Sequence, residues 1–229
     1  MVLCRHLEKE ITMKMPARNL RPAHTMMGPQ HFRLAEAAGL LALPTGHIYE
    51  FNGGVGDMGV AMLGSVSGAK LISCDIDSEC VSAMKKRRKK EGLMDSWVIR
   101  CCDSFAELNP TRNSGVVFDC NTFTFHQMLN VPEFKTAFDR TLEAKVKWIL
   151  INDSAKFKLH LNYKSYGCLE PTVPEYLRCW NDYLGQVGYL VDAYVDLRTT
   201  LMLRIRRGIH KSVKETHLSD SDDAYYAPS

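Results

Sequence analysis

The eleven residues from His47 to Asp57, HIYEFNGGVGD, constrain the fold more than any other part of the chain. His47 to Phe51 is a short, mostly apolar run that reads as a strand. It enters a turn with three glycines, Asn52, Gly53, Gly54, Val55 and Gly56, and a helix-compatible run from Met58 to Leu63 follows at once. Strand, glycine-rich turn and helix in this order open a nucleotide-binding βαβ unit. Glycine lets the backbone turn sharply and lets a ligand approach without side chains in the way. The N–H groups at the start of the helix then face that ligand.

The chemistry around the turn narrows the choice of ligand. A dinucleotide site would read GxGxxG, and a phosphate loop would end in Gly-Lys-Ser/Thr. Neither pattern is present. The turn has no lysine, and acids flank it, Glu50 before and Asp57 after. Acids repel a polyphosphate and suit a cation. S-adenosylmethionine, with an amino group, a sulfonium and ribose hydroxyls, is such a ligand.

The segments that follow supply further polar groups at strand ends. Ala69 to Asp77 reads as a second strand closing on an acid, and Asp75 lies 19 residues beyond Gly56. That is close to the roughly 20-residue spacing at which an acid reaches a ribose in this architecture. Asp75 could instead cap the next helix, but Asp77 or Ser78 can do that. Trp97 to Phe105 is the third strand and its exit loop, which carries Asp103, placed to accept from an adenine amino group or to cap a helix starting at Ser104, with Phe105 near enough to cover the ring. Val116 to Cys120 is the fourth strand, emptying into Asn121, Thr122, Phe123, Thr124, Phe125 and His126. Ligands sit outside the carboxyl ends of such strands, so this loop is the place for chemistry. His126 reads as a base or as a structural hydrogen-bonder.

Beyond it, helical spacing runs from Phe134 to Leu142. A fifth strand spans Lys147 to Asn152, a loop Tyr163 to Pro174, and a helix Pro174 to Leu184. Two further strands, Val187 to Leu197 and Thr199 to Arg206, meet at Arg198 as an antiparallel hairpin. The expected fold is α/β and Rossmann-like, a doubly wound, mainly parallel sheet closed by that hairpin. The 229 residues, 45% of them apolar, suffice for one domain with a good core. Residues 1–27 read as a basic N-terminal arm, 28–207 as the domain, and 208–229 as a polar, disordered tail.

The net charge is a mild +3, but its distribution is uneven. Lys85, Lys86, Arg87, Arg88, Lys89 and Lys90 form an unbroken basic run within a helix expected from Ser78 to about Glu91. It reads either as a solvated face doubling as a nuclear localisation signal, or as a nucleic-acid contact. The eight cysteines show no paired CxxC spacing, so no zinc site is expected. No signal peptide or membrane-spanning run is visible. An intracellular, reducing setting follows, with the nucleus favoured over the cytoplasm and no membrane partner.

The order Glu50 to Gly56, Asp75, Asp103 and the loop after Asp119 resembles the class I S-adenosylmethionine-dependent methyltransferases, over roughly residues 28–207. By that resemblance the cofactor contacts are Glu50, Asn52, Gly54, Gly56, Asp75, Asp103, Ser104 and Asn121. Asn52 stands where that superfamily usually has glycine. Within it, Asn121 to Phe125 is similar to the Asn-Asn-Phe-Ala-Phe loop of the disruptor-of-telomeric-silencing histone lysine methyltransferases. Met27 to Gln30 stands where those enzymes have a Tyr-Gly-Glu loop, and Ser154 to Phe157 where they have a Ser-Lys-Phe-like strand exit. The resemblance implies that Asn121 lies beside the transferring methyl, that Phe123 and Phe125 shape a lysine channel, and that the substrate is a histone or nucleosome. Thr122, Gln30 and the lack of a long insertion before the last strand depart from the pattern.

Other readings stay open. Ribose methylation of RNA resembles a Lys-Asp-Lys-Glu set, of which Asp119 and Lys156 could fill the middle places. Base methylation of DNA or RNA resembles an Asp/Asn-Pro-Pro-aromatic loop, and the prolines are absent after Asp119. A small-molecule acceptor fits the chain's size. A catalytically inactive binding subunit would account for Asn52 and Thr122.

Overall fold

The computed structural model describes residues 46–65, 68–118, 129, 131–153, 173–196, 201–208 and 214–216. Strand β1 (His47–Phe51) leads through the glycine turn into α1 (Asp57–Ser65). Next come β2 (Lys70–Asp75), α2 (Ser78–Lys90), β3 (Trp97–Cys101) and the single turn α3 (Ser104–Glu107). Strand β4 (Gly115–Phe118), α4 (Pro132–Glu143), β5 (Trp148–Asp153) and α5 (Val173–Gly185) continue the alternation. The last strands are β6 (Tyr189–Asp196), β7 (Leu201–Arg207) and β8 (Lys214–Thr216).

The eight strands form one sheet in the order β3-β2-β1-β4-β5-β7-β6-β8. Strands β1 to β5 are parallel, and β7 joins β5 antiparallel, with Ile149 opposite Ile205. The expected hairpin is β6–β7. Its register shifts between Val191 and Ala193. Asp192, at that shift, accepts from Arg204 Nε (2.8 Å) and Arg206 (3.3 Å), which fixes the bulge. Lys214–Thr216 corrects the expected disordered tail, because it pairs parallel with Ala193 to Val195.

Alternation along the strands splits the core in two, as a sheet covered on both faces requires. Ile48, Val117 and Leu150 face one way and pack with Met58 and Met62 of α1 and Val81 and Met84 of α2. Tyr49, Phe51, Val116 and Ile149 face the other way and pack with Phe138 of α4 and Trp180 of α5. That second face holds an aromatic chain: Phe51 stacks on Phe118 at 4.5 Å, Phe118 meets Phe138 at 5.9 Å, and Phe138 meets Trp180 edge-on at 5.6 Å. The sheet is therefore anchored on both sides of β1 and β4. There the strand order reverses, which opens a crevice at the carboxyl ends. No helix among the described residues is long and apolar enough to cross a membrane.

Candidate functional site

The turn after β1 sits at this crevice and is stitched to the end of β2. Gly53 N–H donates to Cys74 O (3.0 Å), and Gly54 N–H donates to Asp75 Oδ2 (2.8 Å). Asn52, Gly54 and Gly56 have φ of 54°, 54° and 84°. Asparagine tolerates this left-handed backbone better than other chiral residues, which explains how Asn52 stands in for glycine. Its Oδ1 also accepts from Ser104 Oγ at 2.6 Å, tying the turn after β1 to the turn after β3. At Gly56 any side chain would strike Trp97, whose Cη2 lies 2.5 Å from where a Cβ would be. A Cβ on Gly54 would meet nothing within 4 Å, so the turn's outer side is open to a ligand.

Asp75 is 8% exposed at the end of β2. It does not cap α2. Asp77 does, its Oδ1 accepting from Glu79 N (2.8 Å), while Asp75 Oδ1 accepts from Asp77 N (2.9 Å). Asp75 thus accepts from two backbone N–H groups, those of Gly54 and Asp77, and is held rigid by them at the carboxyl end of β2. Ile76, unremarked in the sequence, follows it with 72% of its surface exposed, an apolar ledge beside the carboxylate. An exposed isoleucine between two aspartates was the available signal.

Of the two jobs considered for it, Asp103 does the second: half-buried at the exit of β3, its Oδ1 caps α3 by accepting from Phe105 N (2.9 Å) and Ala106 N (3.3 Å). Phe105 corrects an expectation. Its ring stacks on Phe134 at 4.3 Å and is 8% exposed, so it fills the core instead of covering a ligand. Ser104 is 1% exposed, with its hydroxyl on Asn52, and so acts through that residue.

The two flanking acids also differ from expectation. Glu50 is fully buried beneath the turn and accepts a short hydrogen bond from Ser73 Oγ, which in turn accepts from Trp97 Nε1 (2.8 Å). Asp57 is 8% exposed and forms an ion pair with Arg87. Both acids support the turn from below, and Asp57's charge is neutralised by a residue 30 positions away. Asp75 and Asp103 are the remaining candidate acids, at the carboxyl ends of β2 and β3. Ser73 and Trp97 were missed, although a serine inside the buried run Leu71 to Cys74 was a signal for a polar bridge.

The basic run is not one solvated belt. Arg87 is turned inward to Asp57, and Arg88 Nη1 donates to Trp97 O (2.9 Å). Only Lys85, Lys86, Lys89 and Lys90 are exposed. Burial pushes the Cys74 thiol up to about 12, reinforced by the neighbouring Cys102, so it stays an inert core thiol. The predicted catalytic residues Asn121, Phe123 and Phe125, the neighbouring Thr122 and His126, and the Met27 to Gln30 and Ser154 to Phe157 segments lie outside the described residues.

The residues present fit an adenosine-bearing ligand: Asp75 for a ribose, Ile76 for an apolar base, Asp103 beyond it, and open ground over Gly54. No protein-family profile matches the sequence, and no curated protein sequence matches it. The fold is similar to the mitomycin 7-O-methyltransferase MmcR, at 15% identity and TM-score 0.54, over 79% of this chain and 53% of that one. It is also similar to the O-methyltransferase NcsB1 from neocarzinostatin biosynthesis, solved with S-adenosylmethionine and a naphthoic acid, at 20% identity and TM-score 0.55 over 81% and 56%. A third is the magnesium protoporphyrin IX methyltransferase ChlM from Synechocystis PCC 6803 with bound S-adenosylmethionine, at 16% identity and TM-score 0.53 over 78% and 80%. The chain spans just over half the length of the first two. At these identities the likeness is one of architecture, the class I methyltransferase fold.

Proposed function

We propose that the chain binds S-adenosylmethionine at the turn after β1 and transfers its methyl group to a macromolecule, with a protein lysine, as on a histone, the favoured acceptor. The observation that carries the cofactor part is Asp75. It is a carboxylate fixed by Gly54 N–H and Asp77 N–H at the carboxyl end of β2, 19 residues beyond Gly56, beside the turn's open side. Asp75 would hold the ribose, Ile76 and Asp103 the adenine. Asn52 and Ser104 would fix the spacing between the turns that carry these groups.

The bound cofactor supplies an electrophilic methyl on a sulfonium, which leaves as a neutral thioether. The chain's contribution is position and desolvation. The acceptor part rests on the likeness of Asn121, Phe123 and Phe125 to a lysine-channel loop. An apolar aromatic channel would lower a lysine's pKa by desolvation and so favour the neutral, nucleophilic amine.

Calorimetric titration of the full chain with S-adenosylmethionine tests the first part. Binding is expected, weakened at least about tenfold, or roughly 1.4 kcal/mol, by Asp75→Asn at a temperature where circular dichroism shows the variant folded; its unfolding midpoint falls too, because the amide nitrogen cannot accept from one of the two backbone N–H groups. Absence of binding by the unsubstituted chain would overturn the proposal. Transfer of tritiated methyl onto nucleosomes or free histones, compared with RNA and DNA, tests the second. Label appearing only on nucleic acid would reject the lysine acceptor.

A further inference from the structure

The four exposed lysines of α2 form a surface that methyl transfer does not use. At 3.6 residues per turn, Lys85, Lys86, Lys89 and Lys90 fall within an arc of roughly 140°, in two i,i+4 pairs about 6 Å apart. The inward arc is taken by Val81, Met84 and Arg88, with Arg87 beside it on Asp57. Among the described residues none of the four lysines has an ion-pair partner.

This surface is remote from the candidate site. Helix α2 is capped by Asp77, beside Asp75, and runs back along the sheet. At about 1.5 Å per residue, Lys89 lies roughly 18 Å from that start. The helix ends near the amino-terminal edge of the parallel strands. That edge carries further exposed cations, among them Lys70 at the start of β2, Lys145 before β5 and Arg207 at the end of β7. Among the described residues the exposed acids next to the same strand ends are Glu91, Asp95 and Glu143, so the seven cations named exceed them. From β3 to β7 the edge is five strand spacings long, roughly 24 Å at about 4.8 Å each. A nucleic-acid duplex presents about one charge per 1.7 Å, so roughly fourteen phosphate charges span that distance.

We infer that the lysine face of α2, continued by the basic edge of the sheet, docks on the phosphate backbone of a nucleic-acid duplex. The face offers only lysine ammonium groups, point charges without the bidentate fork that reads guanine. The two arginines of the helix, Arg87 and Arg88, are committed inside the fold. Docking is therefore independent of sequence, and its distance from the crevice makes the duplex an anchor and not the methyl acceptor.

The test uses the full chain without cofactor, in fluorescence anisotropy with two 30-base-pair DNA duplexes of unrelated sequence. Equal affinity for both is expected. Counterion release from four contacts gives a slope of log affinity against log salt of about −3.6, so affinity falls on the order of 100-fold from 50 to 200 mM salt. Replacing Lys85, Lys86, Lys89 and Lys90 by glutamine should flatten the slope by about 3 to 4, with the melting temperature and the calorimetric cofactor titration unchanged. A quadruple variant that binds with the original slope would overturn the inference. So would a preference for phosphatidylserine vesicles over the duplexes, or discrimination between the two sequences. Because no cofactor enters the binding assay, its failure leaves the methyltransferase reading standing.

Discussion

At position 52 the chain adopts a backbone conformation that costs most side chains roughly 1–2 kcal/mol, and asparagine is the residue that tolerates it. The sequence showed an asparagine where glycine was expected. It could not show that φ is positive there, or that Ser104, 52 residues away, donates to its side chain. Both facts predict the response to substitution. Asn52→Gly keeps the backbone free and loses one hydrogen bond, for a cost of about 1 kcal/mol. Asn52→Ala loses the bond and also strains the turn, and should lower stability by roughly 2 kcal/mol or more in urea unfolding. An alanine variant as stable as the glycine variant would show that the turn relaxes. The same distance in sequence hid the roles of Glu50 and Asp57. An acid's partner decides whether it faces a ligand or braces a turn, and those partners, Ser73 and Arg87, come from later elements.

Elements were more legible than contacts. Each parallel strand is a run of apolar residues, as expected when both faces are buried, and β1, β2, α2, β3, α4, α5 and the hairpin stand where the pattern put them. The inward turn of Arg88 could have been read as well, since it shares a helical face with Val81 and Met84 at i+7 and i+4. What periodicity does not show is how elements lock together. Tyr189, at the start of β6, directs its hydroxyl to Leu142 O (3.3 Å) and Val146 O (3.2 Å), joining the hairpin to the end of α4. Burial raises its pKa, with Arg207 opposing more weakly. The folded value lies above the unfolded value of about 10, so Tyr189 contributes stability below pH 10 that is lost as pH climbs through the raised value. Tyr183 and Lys135 are raised as well and act in the same direction. Tyr189→Phe should cost about 1 kcal/mol at pH 7 and reduce the fall in melting temperature between pH 9 and pH 11. An unchanged fall would place the alkaline sensitivity elsewhere.

Over the whole molecule, the sheet's two borders are handled differently. Among the described residues β3 is an edge strand of five residues with no further strand paired to it, whereas β6 is covered by β8. The sequence did not reveal β8, because Lys214, Glu215 and Thr216 carry no apolar alternation. Backbone pairing with β6 holds them, and a pattern of side chains cannot report it. Ending the chain at Gly208 would uncover the N–H and C=O groups of β6 along Ala193 to Val195. Open strand edges pair with other chains, so the shortened chain should self-associate in concentration-dependent light scattering, while its circular dichroism remains that of the folded domain. A monodisperse monomer would show that β6 needs no cover. The three tryptophans are all buried, Trp97, Trp148 and Trp180. Only Trp97 lies under the glycine turn, against Gly56 and Gly59, with its indole N–H bonded to Ser73. The molecule therefore carries its own optical gauge: an unlabelled chromophore whose emission is coupled to the geometry of the ligand-facing turn, readable in any buffer and at any temperature where the fold persists.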